Sequence, residues 1–321
     1  MYTNRKNNDM AVSPIVATLV LIVVAVIGAV AVGTIMGSFS SDVSKKASAG
    51  QAGDASSTDV LIAGSTTIQP AMNLIAADFM AQNPGVKLNV QPGGSGAGLS
   101  SVANGVANIG MFSQAMDKAQ LTAYPTVKEF KVGYGGVVAI IPTTGTNGVL
   151  GLGDLNNIFS NVYTGANATA MGITSTVVRS DVSGTADSFQ TLIGVGNIYS
   201  TANATVSAQN GNGALVTKVG ATAGSIGFTD VDYAATSTVV KMVQYGGTPS
   251  NAYTWQGIRD SYNGVANTQN FPKAAIRPLE LLTLGNPDAI SSAIIQFTQS
   301  PTEAAQFHSI GLVHISDIVT L

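Results

Sequence analysis

The sequence predicts an α/β protein of two lobes with a cleft between them, preceded by one membrane-spanning helix. Three observations lead there. Short apolar runs ending in small, hydroxylated turns alternate with stretches of helical periodicity. A chain of 321 residues is long enough to bury a core in each of two lobes. No charged residue interrupts the chain from Ala11 to Met36.

That uncharged stretch is long enough to cross the roughly 30 Å hydrocarbon core of a bilayer as a helix over 11–36. Arg5 and Lys6 precede it, which by the positive-inside tendency keeps the N-terminus in the cytoplasm and places the chain after about Gly37 outside. A secretory signal peptide fits less well, because the run is longer than an ordinary h-region and lacks a small-x-small cut followed by polar sequence. Residues 37–59 are rich in Ser, Ala, Gly and Asp and cannot bury enough surface to fold alone, so they read as a flexible linker. Asn167-Ala168-Thr169 and Asn203-Ala204-Thr205 are compatible with glycosylation, although such triplets often arise by chance.

Beyond the linker, Val60-Leu61-Ile62-Ala63 ends at Gly64, and Pro70 opens a stretch in which Leu74, Ile75 and Phe79 mark one helical face. The same order of strand, turn and helix returns in Lys87-Leu88-Asn89-Val90, the turn Gly93-Gly94-Ser95-Gly96 and a helix over about 97–104. Val137 to Ile141 predicts a buried strand stopped by Pro142. Thr176-Val177-Val178 leads through Arg179-Ser180-Asp181-Val182-Ser183-Gly184-Thr185 into a helix reaching about Leu192. Near the end, Ile290, Ile294 and Phe297 share a helical face, and Ser300-Pro301-Thr302-Glu303 predicts an N-cap, a proline at the first helical position and a capping-box acid. No period of about 20 to 50 residues is present, which excludes a solenoid.

Composition removes several function classes. Charged residues make up 10% of the chain and the net charge is −3, against the basic surface that nucleic acid requires. With no cysteine there is no disulfide, thiol nucleophile or thiolate metal site. His308 and His314 are the only histidines and show no metal-ligand spacing, so neither metal nor cofactor is expected. Ser65 and Ser183 have no identifiable base, no G-x-S-x-G elbow is convincing, and Gly93 to Gly98 lacks the lysine of a P-loop; the chain reads as a binder and not an enzyme.

Three turns carry the binding chemistry: Gly64-Ser65-Thr66-Thr67, Gly94-Ser95-Gly96-Ala97-Gly98 and Ser183-Gly184-Thr185. Each precedes a helix, whose first turn has unsatisfied N–H donors and partial positive charge. Glycine admits close backbone approach and Ser or Thr adds donors without bulk. Arg179 supplies a forked, charge-assisted donor, and Asp181 is close enough in sequence to orient it. Any one of these turns is more often a plain cap; their occurrence together suits a tetrahedral oxyanion.

Two resemblances add to this reading. The polar leader ending Asn8-Asp9-Met10, followed by Ala11-Val12-Ser13-Pro14-Ile15 and the Val/Ile/Ala run, resembles the N-terminus of archaeal type IV pilins. That implies removal of residues 1–10 by a prepilin-type peptidase and self-assembly of the helix, with a simple uncleaved anchor as the alternative. The turns listed above, with Asn108-Ile109-Gly110-Met111, Asn212 to Val216, Gly224-Ser225-Ile226-Gly227-Phe228, Phe271-Pro272 and Arg277-Pro278-Leu279, resemble in family order the phosphate-binding proteins of phosphate ABC importers. The resemblance implies a type II periplasmic-binding-protein fold, with lobe 1 over 60–139 and 276–321, lobe 2 over 140–275, and crossings near 137–142 and 275–279. It implies phosphate as ligand, an ABC permease as partner, and a pocket of Thr66, Thr67, Ser95, Arg179, Ser183, Gly184 and Thr185, with Asp181 holding Arg179. Where relatives carry an aspartate that accepts a proton from hydrogen phosphate, this chain has Ser113, which joins the ligand set and leaves selectivity against sulfate open. A pilin-like filament or adhesin subunit with a binding-protein-like outer domain is the second functional expectation.

Overall fold

The structure, a computed structural model, describes residues 58–319 apart from 147, 161–171, 197, 199–205, 246–252, 267–268 and 270. The expected leader and membrane helix, most of the linker, and both glycosylation triplets lie outside the described residues. Among those that are described, no helix is long and apolar enough to cross a membrane.

The first lobe begins with β1 (Thr58–Gly64), helix α1 (Gln69–Gln82), β2 (Val86–Pro92), α2 (Ser95–Ala103), β3 (Ile109–Phe112) and the short α3 (Lys118–Ala123). β1 pairs in parallel with β2 on one side and β3 on the other, and Thr58 and Asp59, expected at the linker's end, already lie in that ladder. Alternate residues of β1 face opposite sides. Val60 and Ile62 pack with Met72, Ile75 and Phe79 of α1, whereas Leu61 and Ala63 pack with Leu99 and Val102 of α2. A strand covered on both faces has no need of alternating polarity, which is why it reads as an unbroken apolar run.

β4 (Val127–Pro142) is the strand that serves both lobes. The chain continues through β5 (Val149–Leu150), α4 (Leu152–Phe159), β6 (Ser175–Arg179), α5 (Gly184–Ile193), β7 (Val206–Gln209), α6 (Gly211–Gly220), β8 (Ser225–Asp230), α7 (Val231–Ala235), β9 (Val240–Met242), β10 (Gln244–Tyr245) and α8 (Trp255–Asn263). It returns through β11 (Ile276–Leu284), α9 (Ala289–Gln299), α10 (Ala304–Ser309) and β12 (Val313–His314). From Val127 to Gly136, β4 runs antiparallel to β11; from Val137 it runs antiparallel to β8. The sheet therefore follows the order β2-β1-β3-β11-β4-β8-β6-β7. The second core gathers around Val177, Val178, Ile226, Phe189 and Phe228, the last two stacked at 4.6 Å.

Ser300-Pro301-Thr302-Glu303 supplies the expected N-cap and first-position proline but not the capping box. Pro301–Glu303 is a separate 3-10 turn that Ser300 caps. The Ser300 N–H already donates to Phe297 O at the end of α9, so Glu303 has nothing to reach back for, and its carboxylate instead accepts from the Thr302 hydroxyl at 3.2 Å.

α2 sits unusually close to the sheet because of Gly98. A β-carbon there would lie 2.5 Å from Met111 O, 3.0 Å from Ala63 O and 3.1 Å from Gly64 Cα, all backbone that cannot rotate away. Gly98→Ala is expected to lower stability by about 1–3 kcal/mol, the usual cost of overpacking, as read from urea unfolding.

Glu280 on β11 is nearly buried, with Lys131 Nζ 4.0 Å away. Burial pushes its carboxyl up to about 7, against the pull of Lys131 and with a smaller push from Glu129. The folded chain thus holds this proton more firmly than the unfolded one. The contribution is complete below the ordinary carboxyl value of 4.5 and is lost as pH rises through about 7. Thermal melts should show wild-type stability falling from about pH 5 to pH 8 relative to Glu280→Gln, in which this component is absent.

Candidate functional site

The site lies beyond the carboxyl ends of the strands, where open α/β sheets place their ligands. Ser65 to Thr67 follow β1, Ser113 follows β3, Arg179 ends β6 and Asp230 ends β8. The first turns of α1, α2, α5 and α6 approach one another there, bringing the three predicted turns together from both lobes.

Arg179 is buried, with its Nε donating to Asp181 Oδ1 at 2.7 Å, Nη2 to Asp181 Oδ2, and Nη1 to Asn212 Oδ1 at 2.6 Å. Asp181 therefore holds Arg179 as the sequence suggested, and it also accepts from the Gly211 N–H at 3.2 Å. Ser183 caps α5, accepting from Ala186 N–H at 3.4 Å. Thr67 and Thr185, from opposite lobes, bring their hydroxyl oxygens within 3.3 Å. Ser95 and Ser113 pair through their hydroxyls at 3.0 Å. Thr66 sits at the rim, its hydroxyl accepting from Asn212 N–H at 3.4 Å. Gly184 cannot be larger, since a β-carbon would lie 2.6 Å from Ser113 O and 2.9 Å from Arg277 Nη1. The α2 turn touches the second lobe directly, Gly96 N–H donating to Val182 O at 3.1 Å. All eight residues expected to bind ligand belong to, or border, this cluster.

Three central residues were missed as site residues. Arg277, projecting from β11, donates from Nη2 to Thr67 Oγ1 at 2.9 Å, Thr185 Oγ1 at 2.8 Å and Asp230 Oδ2 at 2.5 Å. Its Nη1 donates to Ser113 Oγ at 2.8 Å and to Ser113 O, and its Nε to Asp230 Oδ1 at 3.3 Å. Asn212 donates to Thr67 Oγ1 at 3.0 Å. The available signals were a lone cation between apolar neighbours in Ala275-Ile276-Arg277-Pro278-Leu279 and an acid closing the apolar run Ile226-Gly227-Phe228-Thr229-Asp230.

The side chains bring no excess charge, because Arg179 is matched by Asp181 and Arg277 by Asp230. Nearby Asp232 is buried, and burial first, and then the charge of Asp230, push its carboxyl well above the usual carboxylate range. Attraction for an anion rests on the helix starts, each worth roughly half an elementary charge. Four of them sum to about the charge of a doubly ionised oxyanion.

Both histidines are engaged elsewhere: His308 Nε2 lies 2.7 Å from Asp317 Oδ2, and His314 Nε2 lies 2.9 Å from Thr298 O. A cavity of about 190 Å³ at the end of β4, lined by Ile141, Pro142, Thr146, Gly224 and Ser225 among others, has no ionisable lining and is separate from the cluster. Among the described residues no group of three or more His, Asp or Glu side chains is placed to hold a metal.

Removing one partner of a buried ion pair strands the other charge. Arg277→Gln is expected to cost about 3–5 kcal/mol in denaturant unfolding, and the Arg277→Gln/Asp230→Asn double variant to recover much of that loss.

Comparison with known proteins bears on both fold and site. A family model described as a PBP superfamily domain matches residues 49–280. A candidate substrate-binding protein of a phosphate ABC transporter from Clostridium perfringens, solved with bound phosphate, superposes with a TM-score of 0.69 at 24% identity over 80% of this chain and 100% of that one. An ABC-type phosphate transport receptor from Vibrio cholerae superposes with a TM-score of 0.60 at 23% identity over 79% of this chain and 99% of that one. At these identities the likeness is one of fold. The phosphate-binding protein PstS of Bacillus subtilis is 44% identical over 54 residues, which make up 17% of this chain and 18% of that protein, so the matched segment spans under a fifth of that relative.

Proposed function

Because the chain belongs to the PBP superfamily, we propose that it captures phosphate, or a similar tetrahedral oxyanion, outside the cell and passes it to the permease of an ABC importer. The observation that carries the reading is the convergence of four helix starts and two guanidinium groups, Arg179 and Arg277, on a single buried polar cluster between the lobes. The proteins it resembles, described as phosphate-binding or phosphate-transport proteins, support the choice of anion. In this reading Arg179 supplies the charged fork. Thr66, Thr67, Ser95, Ser113, Ser183 and Thr185 contribute hydroxyl or backbone donors, and Gly184 lets the backbone approach. The task is binding and release without bond making.

We read residues 11–36 as the anchor that holds the binding domain outside a single membrane, on the strength of the uncharged run behind Arg5 and Lys6. The pilin-like order of leader, Ala-Val-Ser-Pro and helix favours a second reading, in which a prepilin-type peptidase removes residues 1–10 and the helix polymerises, leaving the binding fold on the outside of a filament. Appearance of the chain in sheared surface fibres, with a mature N-terminus at Ala11, separates that reading from a simple anchor beginning at Met1.

Calorimetric titration of the purified chain with inorganic phosphate tests the main reading. Arg179→Ala and Ser183→Ala should each weaken binding, the arginine change by at least roughly tenfold because it removes a charge-assisted fork. Unchanged affinity in both variants would reject this pocket.

A further inference from the structure

Four donors end on a single oxygen of Asp230. Its Oδ2 accepts from Thr67 Oγ1 at 2.7 Å, Thr185 Oγ1 at 3.0 Å, Asn212 Nδ2 at 3.3 Å and Arg277 Nη2 at 2.5 Å, with the carboxylate fully buried. Thr67 belongs to the first lobe, Thr185 and Asn212 to the second, and Arg277 to the strand that returns to the first. We propose that Asp230 is a built-in competitor of the anion: its carboxylate takes up the donors on which a bound oxyanion would draw, so that capture is an exchange in which these donors leave Asp230 for the guest. This rests on the anion-binding reading above.

One carboxylate oxygen offers about two lone pairs, so four donors oversubscribe it. A guest with several oxygens suits such a cluster better. The protons are nevertheless committed. A threonine hydroxyl has one to give, and those of Thr67 and Thr185 are given to Asp230, while their lone pairs accept from Arg277. The Asn212 amide is fixed as well, because its Oδ1 accepts from Arg179 Nη1 at 2.6 Å and its Nδ2 therefore faces Asp230 and Thr67. An entering oxyanion has to part these donors from Asp230 beside a fixed negative charge. Each bond given up is subtracted from the affinity.

Arg277 is the other side of the same balance. It contacts Ser113, Thr67 and Thr185, three of the residues expected to hold ligand, yet its charge is matched by Asp230. Without the carboxylate charge this buried guanidinium lacks a counter-ion, and an oxyanion supplies one. Asp230 also draws hydroxyls of both lobes onto one oxygen, so the same bonds that compete with the anion hold the cleft shut against it. The device weakens capture and favours release, which suits a binder that hands its cargo on.

Calorimetric titration with inorganic phosphate, on the full-length chain in detergent, compares the wild type with Asp230→Asn, which removes the charge and keeps the shape. The variant should bind phosphate at least about tenfold more tightly, because the neutral amide is the weaker acceptor and leaves Arg277 uncompensated. Phosphate should also raise its melting temperature by more than that of the wild type. Equal or weaker binding by the variant, with the wild type binding phosphate, overturns the inference and leaves anion capture standing. Binding by the variant alone upholds both, and binding by neither chain overturns both. Should circular dichroism show that Asp230→Asn does not fold, the Asp230→Asn/Arg277→Gln variant takes its place. With the competitor and the charge it consumes both gone, that chain should bind phosphate at least as tightly as the wild type, and weaker binding there overturns the inference.

Discussion

Arg277 donates to Ser113 and Thr67 on one side of the cleft and to Thr185 and Asp230 on the other. A guanidinium taken out of water holds its position only while these acceptors surround it, since a buried charge without partners costs several kcal/mol. The position of β11 follows from the same fact. Its residues pair with both β3 and β4, so the strand that closes the first lobe also delivers the cation to the lobe interface. β4 completes the arrangement by changing partner at Gly136 and Val137, which sets Asp230 of β8 opposite Val137 and therefore near Arg277. The ion pair and the crossing strand are two aspects of one constraint: lobes far apart in sequence share a sheet, and the sheet fixes where their charges meet.

With each arginine matched by a carboxylate, the cluster differs from a simple basic pocket. A basic pocket attracts any anion and is weakened by salt. Here the net side-chain charge is balanced, and what distinguishes one anion from another is the direction in which protons point. Helix starts provide donors fixed by the backbone, whereas Asp230 fixes the orientation of two hydroxyls that would otherwise rotate freely. Such a site gains discrimination from pre-set hydrogen bonds more than from bulk attraction.

The elements that could be read from sequence are those with one dominant signal. β1, the buried stretch of β4, β6 and the start of α5 announced themselves through apolar runs and turn chemistry. The sequence predicts β4 only over 137–141, because its first half, Val127-Lys128-Glu129-Phe130-Lys131, puts two adjacent charges and a third among its apolar residues and shows no strict alternation that would mark a strand continuous with the next. α2 begins at Ser95 instead of Ala97, since Gly94, at a positive φ of 82°, already turns the chain into the helix. The anion turns were visible because serine, threonine and glycine cluster before helices. Asp230 and Arg277 were not, because their partnership spans 47 positions and one charged residue in a strand has no local pattern to betray it.

Precision in such a site depends on contacts remote from any ligand. Ser95 reaches Ser113 because α2 lies directly on the backbone of β1 and β3, and that approach is permitted by Gly98 meeting Gly64 and Met111 with no side chain between them. Just before the same helix Gly94 leaves room for Asp181 of the opposite lobe, whose carboxylate occupies the space a β-carbon would need. An error of a few tenths of an ångström in either place moves a helix start as a rigid unit, and with it every donor on its first turn. Hydrogen bonds weaken steeply when distance and angle drift together. The glycines therefore belong to the chemistry of the site as much as the hydroxyls do: they set the distance at which the lobes stop approaching, and that distance determines the size of anion the donors can surround.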